Sequence, residues 1–181
     1  MSGILGCMNM LTKLIADGLI LIIVLVALYM LLFRVDRRHW YRDYSYIVMA
    51  GMTTYVLAKF AGLWLQFEGL RPFEKLGVEA GALSLNNPGF PSDHAVFAMT
   101  LTLAVWFVTR SRKVTLALFI MTILMCVGRV LALVHTPLDV MGGMAIACIG
   151  ALWYPPVRVR LAALVAQLMP KASQTHKKVV K

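Results

Sequence analysis

An all-α, polytopic membrane helix bundle is the fold class that this 181-residue chain predicts. Three observations carry that expectation. Hydrophobic residues make up 60% of the chain against 14% charged, the mean hydropathy is +0.78, and the apolar residues fall in runs separated by short basic segments. A bilayer-spanning helix needs about 17–25 largely apolar residues, so charge-free runs near that length, completed by their flanks, are the natural units.

Five such runs occur in order: residues 18–33, 44–58 extending past Lys59 to 67, 95–109, 114–128 and 140–157. The first lacks a basic leader and a small-residue cleavage site before a soluble domain, so it reads as a spanning helix and not as a secretory signal. A sixth apolar stretch, 161–169, is too short to cross. Its flanks, Arg158, Arg160 and Lys171, make it a C-terminal interfacial segment. Turn-rich sequence at 81–89 leads into the third run, and residues 78–85 suit a short interfacial element. Gly142, Gly143, Ala145, Ala147, Gly150 and Ala151 give the fifth run a small face for close helix packing. With no repeat or linker, residues 1–181 read as a single integral-membrane domain, ending in a basic tail at about 157–181.

The net charge of +10 does not indicate nucleic acid, because the basic residues lie in connections between apolar runs. Arg34, Arg37, Arg38, Arg42, Arg110, Arg112, Lys113, Arg158, Arg160, Lys171, Lys177, Lys178 and Lys181, thirteen of the eighteen, all fall on one side of a five-span arrangement. The positive-inside rule makes that side cytoplasmic and places the N-terminus outside. The long connection 66–93 and the junction 129–139 then share the extracytoplasmic face. Cys7, Cys126 and Cys148 have neither disulfide nor metal-ligand spacing, and no metal site is expected.

The chemistry is carried by polar residues that emerge on that outer face. Pro137 fits the first position of a helix, which makes Thr136 its N-cap and Asp139 its third residue. His135 sits just before it, within reach of Asp139, while Arg129 ends the preceding run. Capping alone would account for Asp139. It does not account for Arg129 and His135 alongside. A carboxylate on one imidazole nitrogen leaves the other free as nucleophile or base.

Pro91-Ser92-Asp93-His94 opens the third helix, with Ser92 as N-cap and first-turn amides suited to an anion. A Ser/Asp cap is common at helix starts, but a second histidine on the face of the first supplies what phosphoryl transfer needs, an attacking group and an acid. Arg71 and Arg129 offer forked donors to a phosphate. Lys59, inside the second run toward its outer end, either snorkels to the interface or adds a phosphate-binding charge.

Taken together, Arg71-Pro72, Pro91-Ser92-Asp93-His94 and Gly128-Arg129 with His135 and Asp139 resemble the three signature motifs of the type 2 phosphatidic acid phosphatase superfamily. The resemblance covers about residues 59–143. Phe90-Pro91-Ser92-Asp93-His94, Arg71-Pro72-Phe73 and the small size are similar to its bacterial undecaprenyl-diphosphate phosphatase branch. The resemblance implies that His135 forms a phosphohistidine, that Asp139 orients it, and that His94 protonates the leaving group and then activates water. It also implies that Arg71, Ser92, Arg129 and amides near Asp93 bind phosphate, with no metal or cofactor.

Two positions depart from the family pattern. Trp64 stands where the family usually has a lysine, leaving three alternatives: Lys59 carried into the site by the second helix, Lys75 as a substitute, or no lysine at all. Gly128 stands where serine is frequent, removing one hydrogen bond.

The expected activity is hydrolysis of undecaprenyl diphosphate at the outer face of a bacterial inner membrane, in support of lipid-carrier recycling and cell-wall synthesis. Phosphatidylglycerophosphate or phosphatidic acid phosphatase and lipid phosphotransferase are the enzymatic alternatives. A small transporter or scaffold is the other class, disfavoured because the charges cluster at helix ends and not at the midplane. The partners expected are the polyprenyl or glycerophospholipid phosphate and membrane lipids. Oligomeric state stays open.

Overall fold

The computed structural model describes residues 10–65, 70–84 and 89–168. Each of the five apolar runs contains a helix, although the second helix ends at Trp64, short of residue 67, with 66–67 outside the described residues; among the described residues there is no strand. Helix α1 spans Met10–Phe33, with a π-helical stretch at Leu14–Gly18, and α2 spans Trp40–Trp64. A short α3, Pro72–Leu76, lies in the outer connection. Helices α4 (Asp93–Thr109), α5 (Arg112–Leu131) and α6 (Pro137–Gly150) complete the bundle, and α7 (Pro155–Leu168) follows a 3-10 turn at Ala151–Trp153.

Helices α1, α2 and α5 are long and apolar enough to span a bilayer by themselves. At about 1.5 Å per residue, the 17 residues of α4 extend only about 25 Å. This short helix is the centre of the molecule, touching α1, α2, α5 and α6. Ala95, Ala98 and Val105 of α4 are fully buried against Ile23, Ala27, Leu118 and Met125. Leu21, Leu25, Phe60, Leu63, Ile120 and Leu124 lie exposed on the outside, the distribution expected where the surroundings are hydrocarbon.

Small residues of α6 set its closest approaches. A Cβ at Gly143 would stand 2.9 Å from the Ser92 carbonyl oxygen and 3.1 Å from the Val96 amide nitrogen, while one at Gly142 would strike the Phe90 ring. At Gly150 it would strike the Thr54 hydroxyl. The packing role expected of these glycines is what the structure shows, and it locks the start of α4 against α6.

The first helix is already formed at Met10, the first described residue, and so takes in the flank before the run at 18–33. The sequence reading needs correction at two places. The fifth run does not continue to 157: α6 ends at Gly150, and beyond Ala151–Trp153 the chain bends by 90° into α7. Tyr154 is extended (φ −75°, ψ 131°) because Pro155 follows it, and proline disfavours helical backbone in the preceding residue. The interfacial segment is longer than 161–169, beginning at Pro155; Met169 and the tail beyond it lie outside the described residues. Of the stretch 78–85, residues 78–84 are irregular chain with a bend at 81–82, and within the connection 66–93 residues 66–69 and 85–88 lie outside the described residues.

Chain direction places the Asp93, Arg129 and Pro137 ends of α4, α5 and α6 together. Arg110, Arg112 and Tyr154 lie at the opposite end.

Candidate active site

Thr136 and Asp139 build the entrance to α6. The Thr136 hydroxyl accepts from the Asp139 amide at 3.3 Å, and Asp139 Oδ2 accepts from the Thr136 amide at 2.7 Å, a reciprocal cap that satisfies both donors. Capping and a role toward His135 are therefore not exclusive. His135 Nδ1 lies 3.6 Å from the same Asp139 oxygen, but its nearer partner is the Gly89 carbonyl at 3.0 Å. A carbonyl oxygen only accepts, so the ring proton sits on Nδ1 and Nε2 keeps its lone pair. Gly89 thus shares the orienting task that sequence reasoning gave to Asp139 alone.

The Ser92 amide donates to the Asp139 carbonyl at 3.0 Å, tying the beginning of α4 to that of α6. Ser92 holds the N-cap position, but its hydroxyl makes no cap bond, contrary to the sequence expectation. Its Oγ is buried without a hydrogen-bond partner. An unsatisfied buried hydroxyl costs about 1–3 kcal/mol, a cost that an incoming acceptor such as a phosphate oxygen removes. The partly buried ring of His94 is within electrostatic reach of Arg129, Asp17, His135 and Asp93, so both histidines belong to one site.

Arg71 reaches this site because its loop is stitched to the junction after α5. Phe73 and Gly81 amides donate to the Leu133 and Ala132 carbonyls at 3.1 and 3.0 Å, and Arg71 Nη1 donates to the Val134 carbonyl at 3.3 Å. The Arg71 amide in turn donates to Glu74 Oε2 at 2.6 Å, securing the first turn of α3. Buried Arg71 and Arg129 are near enough for their charges to interact. Two guanidiniums this close repel each other, and a phosphate between them would turn that repulsion into attraction.

Arg129 has a partner that sequence reasoning missed. Its Nη1 donates to Asp17 Oδ1 at 2.7 Å, and Asp17 Oδ2 accepts from the Leu83 amide at 2.8 Å. Asp17 immediately precedes the charge-free run at 18–33, and an ionisable residue in a membrane helix is itself a signal. Arg129 is 2% exposed, and its Nε has no hydrogen-bond partner. Asp17 fixes one edge of the guanidinium and leaves Nε for an anion.

Gly128 explains how Asp17 gets there. A Cβ at this position would come within 2.8 Å of Ile15 Cγ2 and 3.0 Å of the Ala16 amide, so glycine lets the π-helical turn of α1 settle on α5. The missing serine is thus a packing device, beyond the loss of one hydrogen bond.

Lys59 lies at the mouth, where its Nζ is 3.4 Å from Asp93 Oδ1, each side chain about half exposed (48% and 44%). It also lies 5.5 Å from the Tyr55 ring centroid. A 150 Å³ cavity beside it is lined by Ala58, Gly62, Leu63, Phe90 and Pro91. Lys75 is on exposed α3. Among the described residues no group of three His, Cys, Asp or Glu side chains is placed to hold a metal ion.

No curated protein and no solved structure matches the chain. The sequence profile of the PAP2 superfamily matches residues 46–162, which include every sequence-predicted member of this site. A multi-pass helical membrane chain whose histidines, arginines and unpartnered serine converge at one end of the bundle belongs, by that match, to the PAP2 superfamily of phosphatases that act on lipid phosphates.

Proposed function

We propose that the protein hydrolyses undecaprenyl diphosphate to undecaprenyl phosphate and inorganic phosphate through a phosphohistidine at His135. What supports this reading is that His135, whose Nδ1 is engaged by the Gly89 carbonyl, lies at the same end of the bundle as Ser92 Oγ and Arg129 Nε, both buried and without a hydrogen-bond partner.

His135 Nε2 attacks the terminal phosphorus as the bond to the bridging oxygen breaks. His94 donates its proton to the departing undecaprenyl phosphate, and Asp139 stabilises the His135 ring as it gains charge. Arg71, Arg129, Ser92 and the first-turn amides of α4 around Asp93 bind the non-bridging oxygens, where charge accumulates. Water then attacks phosphorus, giving a proton to His94 as the new P–O bond forms and the P–N bond breaks, which returns the lone pair to His135 Nε2 and releases inorganic phosphate.

Two features favour a diphosphate on a long chain. Lys59 and Asp93 stand at the mouth, one group removed from the terminal-phosphate pocket, where Lys59 meets a second phosphate. The adjoining cavity is lined by Leu63, Phe90 and Pro91, matching an isoprenoid. Thirteen basic residues on the far side of the span pattern favour a site facing away from the cytoplasm of a bacterial inner membrane.

The test is a comparison of kcat/KM for undecaprenyl diphosphate, phosphatidylglycerophosphate and phosphatidic acid with purified protein, including a chelator arm. The expected order puts the polyprenyl diphosphate first, with activity unaffected by the chelator and abolished by His135→Ala. Preference for either glycerophospholipid would replace the substrate. Full activity of His135→Ala would overturn the nucleophile.

A further inference from the structure

We infer that the end of the bundle opposite the histidines carries a binding site for an anionic phospholipid, a site separate from catalysis. A groove of 780 Å³ runs there between the end of α4, the start of α5 and α7. Trp106, Phe107 and Leu161 furnish apolar walls, and Arg110, Arg112 and Arg160 furnish three cations. Among the described residues no carboxylate lines this groove; Asp36 and Asp43 line the adjoining cavity that also meets Arg110 and Arg160.

The three guanidiniums have not been neutralised from within. Among the described residues none of them makes an ion pair or a side-chain hydrogen bond. Three unpaired cations facing one apolar groove repel each other, and an anion between them turns the repulsion into attraction. Arg110 also occupies left-handed backbone, φ 57° and ψ 16°, where glycine or asparagine is the ordinary choice. Arg112 opens α5 with no acidic residue in the first turn, a position where the helix dipole disfavours a cation and favours an anion.

The walls decide what kind of anion. Trp106, Leu161 and Leu164 are 40–52% exposed and continuous with the lipid-facing surface, so the occupant has an apolar body beside its charge. A membrane lipid meets both requirements. Its acyl chain lies along Trp106 and Leu161 while its phosphate takes the arginines. The 90° bend before α7 forms the groove, by bringing Arg160 and Leu161 back over the end of α4.

The test uses the full chain in detergent, titrated with phosphatidylglycerol or phosphatidylcholine and followed by native mass spectrometry. Phosphatidylglycerol is expected to bind at least about tenfold more tightly, and the combined variant Arg110→Asn, Arg112→Gln, Arg160→Gln to lose roughly a hundredfold in affinity for it. Retained phosphatase activity of that variant serves as the folding control. Independently, brominated phosphatidylglycerol should quench tryptophan fluorescence more than brominated phosphatidylcholine, and Trp106→Phe should remove the difference. Equal affinity for the two lipids, an unchanged preference in the triple variant, or displacement of the lipid by inorganic phosphate alone would overturn the proposal.

Discussion

Arg129 and Asp17 form a 2.7 Å ion pair across 112 positions of sequence, and this pair joins the first helix to the end of the bundle that carries the two histidines. The arginine is nearly inaccessible while the aspartate is about one-quarter exposed, with side-chain exposures of 2% and 24%. Removing one partner of a well-buried pair costs about 3–5 kcal/mol, since it strands the other charge. The partial exposure of Asp17 puts Asp17→Ala toward the low end of that range. A lower midpoint of thermal unfolding in detergent is the expected outcome. Asp17→Asn, which keeps the shape, should lower kcat/KM by about tenfold, corresponding to about 1.4 kcal/mol of transition-state stabilisation. Unchanged kinetics in that variant would show that Arg129 needs no orienting partner.

Gly128→Ser restores the residue frequent in relatives, yet it should harm this chain. Its Cβ would press on Ile15 and on the Ala16 backbone, displacing the turn that carries Asp17. Reduced activity is expected, with partial recovery in the double variant Gly128→Ser, Ile15→Ala. Recovery stays partial because the Ala16 backbone cannot be trimmed. Equal activity of Gly128→Ser and the parent would contradict the packing account.

Gly143→Ala tests the contact between the two histidine-bearing helix starts. The added methyl would meet the Ser92 carbonyl oxygen at 2.9 Å, so α4 must move away from α6. Misplacement of a catalytic group by about 1 Å can cost about a hundredfold. The kinetic signature is a fall in kcat with correct membrane insertion. A normal kcat would show that the helix starts need not be so close.

Lys59→Met separates stability from substrate handling. Exposed ion pairs contribute about 0–1 kcal/mol, so loss of the contact with Asp93 should leave thermal unfolding nearly unchanged. If Lys59 meets the second phosphate, KM for a diphosphate rises while that for a monophosphate does not. Equal effects on both substrates would remove Lys59 from diphosphate recognition.

His94→Ala should reduce turnover by about a hundred- to ten-thousandfold, the range for loss of a positioned acid or base. Because His135 remains, a phosphorylated protein should accumulate and be detectable by intact-mass measurement after mixing with substrate. Failure to trap any phosphoprotein, together with near-normal turnover, would take His94 out of the proton transfers.

Much of this architecture was readable from the apolar runs, because hydrocarbon surroundings impose one rule on every spanning segment. Their boundaries were less readable. The bend before Pro155 was announced by Pro155-Pro156, but hydropathy stays high across it, and a reading by hydropathy runs straight through. In the site, Pro137 located His135 and Asp139 correctly because proline fixes local backbone. The same local logic failed at Ser92, whose hydroxyl forgoes the cap it could make and is buried without a hydrogen-bond partner. Asp17, Gly89 and the function of Gly128 depended on contacts between distant segments, which no local pattern encodes.

The region matched by the superfamily profile begins at residue 46, whereas Arg129 takes its counter-ion from residue 17. Trimming the chain to that matched region for expression would delete Asp17 with α1 and leave the buried Arg129 guanidinium without its counter-ion. Supplying residues 10–33 as a separate peptide offers a complementation assay, in which recovered phosphate release would report docking of a helix that contributes geometry without touching substrate.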